Sequence, residues 1–184
     1  GLKIRFISHF ILPIVCIGSL FFVFRIFSIS VLPQFFDYEH ANLIYLPAGI
    51  RLLAVAIYGW IGVVGIIFGW VLCHVFGGEK TLFEAVFYGA ISGFAAYLSL
   101  YLWQCQFQIN NSLDSITSRF AVYLVLISAF ISTLIRYAYL FSIDPLTAFL
   151  PIFTIGLIGD IVGCFILLYL IKGGIYLYRQ FLKH

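Results

Sequence analysis

The sequence predicts an all-α fold, a polytopic transmembrane helix bundle of about six spans, and three observations carry that expectation. The composition is 64% hydrophobic and 20% aromatic with 9% charged residues, and the mean hydropathy of +1.13 exceeds what a soluble domain carries. The apolar residues gather into long runs, and a hydrocarbon core about 30 Å thick takes about 20 helical residues to cross. The runs are too long for strands and do not alternate apolar with polar residues.

The spans fall at about 6–24, 43–58, 61–76, 82–103, 119–141 and 146–171. The first follows Lys3 and Arg5 as a signal peptide would, but its length and lack of a small-residue cleavage site predict a retained span. The second opens on Leu46-Pro47-Ala48-Gly49-Ile50-Arg51. Proline lacks an N–H and glycine relaxes the backbone, so Pro47 and Gly49 are read either as a bent, ligand-facing turn with free amides or as a plain helix start. Two connections are longer than the rest, 28–42 with Pro33, Asp37, Glu39 and His40, and 104–118 with Asn110, Asn111 and Asp114. The segment 172–184 interleaves Lys172, Arg179 and Lys183 with Tyr176, Tyr178 and Phe181, a basic amphipathic tail suited to the headgroup layer. With no internal repeat or low-complexity tract, residues 1–184 read as a single integral membrane domain. The chain starts at Gly1 and lacks Met, the pattern of a processed or trimmed form of a longer product.

Orientation follows from Lys and Arg at the span ends, because cytoplasmic loops retain positive charge. Lys3, Arg5, Arg119, Lys172, Arg179 and Lys183 fall on one side, whereas Arg25 and Lys80 share the other with Asp37, Glu39, Glu79, Glu84 and Asp144. Both termini are thereby expected in the cytoplasm of a bacterial cell, the protein lying in its inner membrane. The net charge of +3 has this membrane explanation, and a nucleic-acid partner is not expected.

Packing is legible in three small-x-x-x-small pairs: Gly65 with Gly69, Gly89 with Gly93, and Gly159 with Gly163. The fourth span extends its face through Ala85, Ser92, Ala96 and Ser99. Such faces let helix backbones approach, within one chain or across a homodimer.

Well inside the spans lie three charges, Arg51, Arg136 and Asp160. A charge at the bilayer centre costs about 2.5–3.5 kcal/mol on insertion scales, so it faces protein or a wet cavity and has a partner. Arg136 shares a stripe with Ser128 and Ser132, and Asp160 one with Gly156 and Gly163. Counted at about 1.5 Å per residue from the outer ends, Arg51 lies about 12 Å deep, Arg136 about 8 Å and Asp160 about 21 Å. A buried ion pair, a ligand-binding site and a proton relay all fit this set; one outward-opening polar cavity is the arrangement expected.

Cys16, Cys73, Cys105 and Cys164 are scattered singly and are expected to be small buried hydrophobes. His9 and His74 are weak candidates for a metal, a haem or a chlorophyll-type pigment; they fall at opposite ends of their spans, and no cofactor is predicted. No Ser/His/Asp grouping, metal-ligand spacing, paired carboxylates or phosphate loop points to an enzyme.

Leu46-Pro47-Ala48-Gly49-Ile50, the span ending in Tyr58-Gly59-Trp60, the small-residue span to Gly69 and the later Gly159-Asp160-Ile161-Val162-Gly163 resemble the membrane-associated sensor (MASE-type) domain family over about 42–170. That resemblance implies a sensor module, usually placed before a histidine kinase or diguanylate cyclase. This chain carries Arg51 where a small residue is usual, lacks the tryptophan and second proline often found before the turn, and has fewer spans and no output domain, so it is expected to signal through a partner. A weaker resemblance is to the substrate-binding S components of energy-coupling-factor vitamin transporters, which implies that Arg51, Arg136 and Asp160 hold a small polar ligand. An accessory subunit of a respiratory or photosynthetic complex is the third expectation; it implies other membrane subunits as partners.

Overall fold

In the computed structural model the described residues are 7–31, 37–38, 41–78, 81–107, 118–146 and 149–181. They form six α-helices: α1 (Leu12–Val31), α2 (Pro47–Tyr58), α3 (Trp60–Gly77), α4 (Leu82–Phe107), α5 (Ser118–Ile143) and α6 (Phe149–Phe181). A two-residue ladder, β1 (Asp37–Tyr38) against β2 (Ala41–Asn42), precedes α2. Five helices are long and apolar enough to cross a membrane; α2, with 12 residues, is not.

Helices consecutive in the chain alternate in direction, so α1 and α3 pack side by side in parallel. Ile17 and Phe21 of α1 meet Gly65 and Gly69 of α3 in parallel order, while Ile67 and Val63 of α3 meet Gly89 and Gly93 of α4 in antiparallel order. One end of the bundle, the terminal end, holds the starts of α1 and α5 and the α2–α3 turn. The distal end holds the α3–α4 and α5–α6 connections.

Local chemistry explains the helix ends. Pro13 clashes in a regular helix with the carbonyl four residues back, and the chain meets this with a wide π-turn at Ile7–Ile11 ahead of α1. Gly59 joins α2 to α3 at φ 55° and ψ −124°, a conformation open to glycine alone at little strain. Ahead of α4, Thr81 Oγ1 accepts from the Glu84 amide at 3.3 Å and Glu84 Oε2 accepts from the Thr81 amide at 2.9 Å, a reciprocal capping box.

The short helix α2 is the centre of the bundle, with Pro47 through Leu52 buried without a break. Its entry segment is fixed by the Tyr45 amide, which donates to the Gly159 carbonyl in the middle of α6 at 3.1 Å. Irregular backbone at such depth is tolerated where protein surrounds it. The close approach needs Gly163, whose missing Cβ leaves room for the Tyr45 carbonyl and for the Leu46 nitrogen, the latter 3.0 Å from where that Cβ would stand. Gly62 similarly faces the Ala54 backbone across the α2–α3 turn.

Several sequence expectations need correction. The first helix runs to Val31 rather than ending near residue 24, because no proline or glycine stands between Phe24 and Val31. The second begins at Pro47, not 43, and does not span on its own. The last begins at Phe149 and continues unbroken through Phe181, so residues 172–181 prolong the sixth span as one helix. Cys16 and Cys105 face out of the bundle and Cys73 is half-buried; Cys164 alone is buried, because only it faces the α2 contact.

Candidate functional site

Side chains on a helix lean toward its N-terminus. α2 descends from mid-bundle and α5 rises past it, so Arg51 leans up and Arg136 leans down, both toward the level of Asp160 on α6. Asp160 stands about 16 Å from the start of α6 at 1.5 Å per residue, since that helix begins at Phe149. These directions close the depth differences expected from residue counting.

The three charges meet. Arg51 Nη2 donates to Asp160 Oδ2 at 2.9 Å, and Arg136 Nη2 lies 3.2 Å from Oδ1 and 3.3 Å from Oδ2. Arg51 Nη1 also donates to Ser92 Oγ on α4 at 3.0 Å. Exposure is graded, with the side chains of Asp160 at 1%, Arg51 at 7% and Arg136 at 27%. Arg136 is therefore the member closest to the surface. The carboxylate cancels one guanidinium, and the trio keeps one net positive charge in a low-dielectric setting.

Aromatic rings frame the cluster. The Tyr45 ring has Arg51 Cζ 5.6 Å and Arg136 Cζ 5.5 Å from its centroid. Its hydroxyl lies 3.4 Å from Nη1 of Arg25 on α1, and that guanidinium covers the Trp70 ring at 4.2 Å. Trp70 stacks on Tyr88 at 5.5 Å, and Tyr88 meets Tyr139 edge-on at 5.0 Å. Every one of the six helices contributes to this constellation.

Hydrogen-bond accounting marks the same region. Among the described residues, the buried side-chain atoms without a partner are Ser28 Oγ, Arg51 Nε, Trp70 Nε1, Ser132 Oγ and Thr133 Oγ1. All lie in the distal half or at its floor. Arg51 Nε and Trp70 Nε1 can only donate, and an unmet buried donor costs about 1–3 kcal/mol. Gly156 adjoins this region: a Cβ there would lie 3.6 Å from Arg136 Nη1 and 3.4 Å from Thr133 Cγ2, ordinary contact distances.

Pro47 and Gly49 do not serve as a ligand-facing turn. The Ala48 and Gly49 amides donate at 3.1 Å to the Tyr45 and Leu46 carbonyls, which consumes the donors that a bent turn would have offered. Gly49 instead admits Leu167, 2.7 Å from the position of its absent Cβ. Gly65, Gly69, Gly89, Gly93 and Gly163 are all used in helix contacts within the chain, and Gly159 supplies the carbonyl that holds Tyr45. His9 sits in the π-turn beside a shallow groove of about 540 Å³ at the terminal end, between Pro13, Cys16 and Tyr58, and His74 in the last turn of α3 at the other end. No group of three or more His, Cys, Asp and Glu side chains converges among the described residues.

Reading the sequence by its buried charges missed Arg25, Tyr45 and Trp70. Arg25 was discoverable from the unbroken apolar run on both sides of it; nothing local distinguishes Tyr45 or Trp70 from the other aromatics. Comparison with protein-family models, curated proteins and solved structures gives no match. Fold and site together define an integral membrane helix bundle with a buried, cation-rich polar centre.

Proposed function

We propose that this protein is a non-catalytic, sensor-like membrane module that binds a small anion at Arg51, Arg136 and Asp160 and acts through a partner protein. The observation that carries the reading is the surplus of positive charge and unmet donors at one buried carboxylate. A purely structural cluster gains nothing from a second guanidinium and orphaned N–H groups, because each raises the desolvation cost without a compensating acceptor. An anion supplies both the missing charge and the missing acceptors.

The connection to a partner runs through α6. At about 1.5 Å per residue its 33 residues extend about 50 Å, well beyond a core of about 30 Å, and the helix that carries Asp160 leaves the bundle with all faces exposed after Ile171. A shift of Asp160 on ligand binding would travel along one rigid element to the chain's exposed end. Both termini are assigned to the cytoplasm of a bacterial inner membrane by the Lys and Arg distribution. A vitamin-transporter S component would use the same site, and uptake of a labelled solute with a coupling partner separates that reading from sensing.

Native mass spectrometry of protein extracted in mild detergent tests the binding claim. An anionic adduct should be present in the wild type and lost in both Arg51→Gln and Arg136→Gln. An adduct equally abundant in all three proteins contradicts the site.

A further inference from the structure

The surplus positive charge is divided between two places. At the first, Arg51 and Arg136 share Asp160, leaving one uncancelled charge and the orphaned Arg51 Nε–H. At the second, Arg25 lies over Trp70 at 4.2 Å and 3.4 Å from the Tyr45 hydroxyl, among the described residues without a carboxylate contact, and the orphaned Trp70 Nε1–H belongs to that same indole. The Tyr45 ring separates the two, its face against the paired arginines and its hydroxyl at Arg25. Among the described residues, each place therefore holds one excess cation and one buried N–H that can only donate.

We infer that the ligand is a small organic dianion whose two negative groups are carried at opposite ends, of the dicarboxylate type, with one end between Arg51 and Arg136 and the other at Arg25 and Trp70. The inference rests on the anion-binding reading above and names its ligand class. A guanidinium meets a carboxylate through a fork of two N–H donors, and the indole and Nε protons add a further donor at each end. The separation by one phenol ring selects for a ligand with a spacer between its charges, and a single compact anion engages only one end. Tyr45 lies alongside that spacer, where its ring offers apolar contact. Arg25 is thus the specificity-determining residue: it distinguishes a dianion from a monoanion of the same length.

The experiment is a binding series on the full chain in nanodiscs of zwitterionic lipid, read by thermal shift and calorimetry. The probes are malonate, succinate, glutarate and adipate, the monocarboxylates of matching length, and inorganic phosphate and sulfate. At least one dicarboxylate should bind about tenfold more tightly or better than its matching monocarboxylate. Arg25→Gln should abolish that preference, with an unchanged circular dichroism spectrum and a cooperative thermal transition showing that the variant is folded, and Arg25→Lys should retain part of it. Equal affinity for mono- and dicarboxylates, or a preference that survives in Arg25→Gln, overturns the dianion inference and leaves the anion site standing. Binding of phosphate or sulfate with no carboxylate bound does the same. Binding of none of these anions by the wild type overturns both.

Discussion

Two buried tryptophans sit toward opposite ends of the bundle and are treated differently. At the terminal end Trp103 is 1% exposed, and its indole N–H donates to the Phe120 carbonyl at 2.9 Å. At the distal end Trp70 is almost as buried, carries Arg25 on its ring and has no acceptor for its N–H. Buried polar groups are normally paired, so the first end is a finished core and the second is a core with a vacancy in its hydrogen bonding. The same contrast holds for hydroxyls, since Ser99 returns its proton to the Ala95 carbonyl at 2.6 Å whereas Ser132 and Thr133 near the arginines have no partner. The hydrogen bonding is complete at the first end and, among the described residues, incomplete at the second.

The largest effect that tests this contrast comes from Asp160→Leu, which leaves two guanidiniums buried against each other. It should cost about 3–5 kcal/mol, visible as a collapse of the detergent melting temperature. A melting temperature near that of the wild type would mean that the arginines have another counter-charge.

Glycine substitutions should sort by what the added carbon meets. At Gly163 the obstacle is the backbone of Tyr45, so Gly163→Leu should destabilise by about 1–3 kcal/mol or more, with Gly89→Ala and Gly93→Ala somewhat milder because Ile67 and Val63 stand 2.7 and 2.8 Å away. Gly156→Ala meets only ordinary contacts and gains helix propensity of up to about 1 kcal/mol, so it should be neutral or stabilising. Equal losses at Gly89 and Gly156 in a thermal series would erase the distinction between packed and open regions.

Much of the fold was readable because a bilayer leaves few options: long apolar runs become helices, and the glycine spacing of Gly65, Gly69, Gly89 and Gly93 marks where they touch. The half-helix α2 was harder. Its apolar run resembles a span in composition, and only the contact of Tyr45 with Gly159, 114 positions later, shows that it starts in mid-bundle. Arg51, Arg136 and Asp160 were legible as costly charges. Arg25 was visible only as a charge within an apolar run, and Tyr45 and Trp70 were not legible, because the three come together by mutual placement across α1, the segment before α2 and α3.

Orientation has a direct check. A cysteine placed at Glu39 should react with an impermeant thiol reagent in intact cells, while one at Arg179 should not, and the opposite pattern would invert the bundle. The smallest effects belong to the native cysteines. Cys16→Ser and Cys105→Ser, both facing outward, should change stability by less than about 0.5 kcal/mol, and Cys164→Ser, buried between α2 and α6, by more.

The most direct test of the anion site is the melting temperature of the wild type and of the triple variant Arg51→Leu/Arg136→Leu/Asp160→Leu, each with and without saturating carboxylate. A ligand at about 100 times its Kd stabilises by about 2.7 kcal/mol. The account predicts that the wild type shifts upward by several degrees and that the triple variant, in which no member of the cluster is left unpaired, does not shift. A wild type insensitive to anions, or a triple variant stabilised as strongly as the wild type, would contradict it.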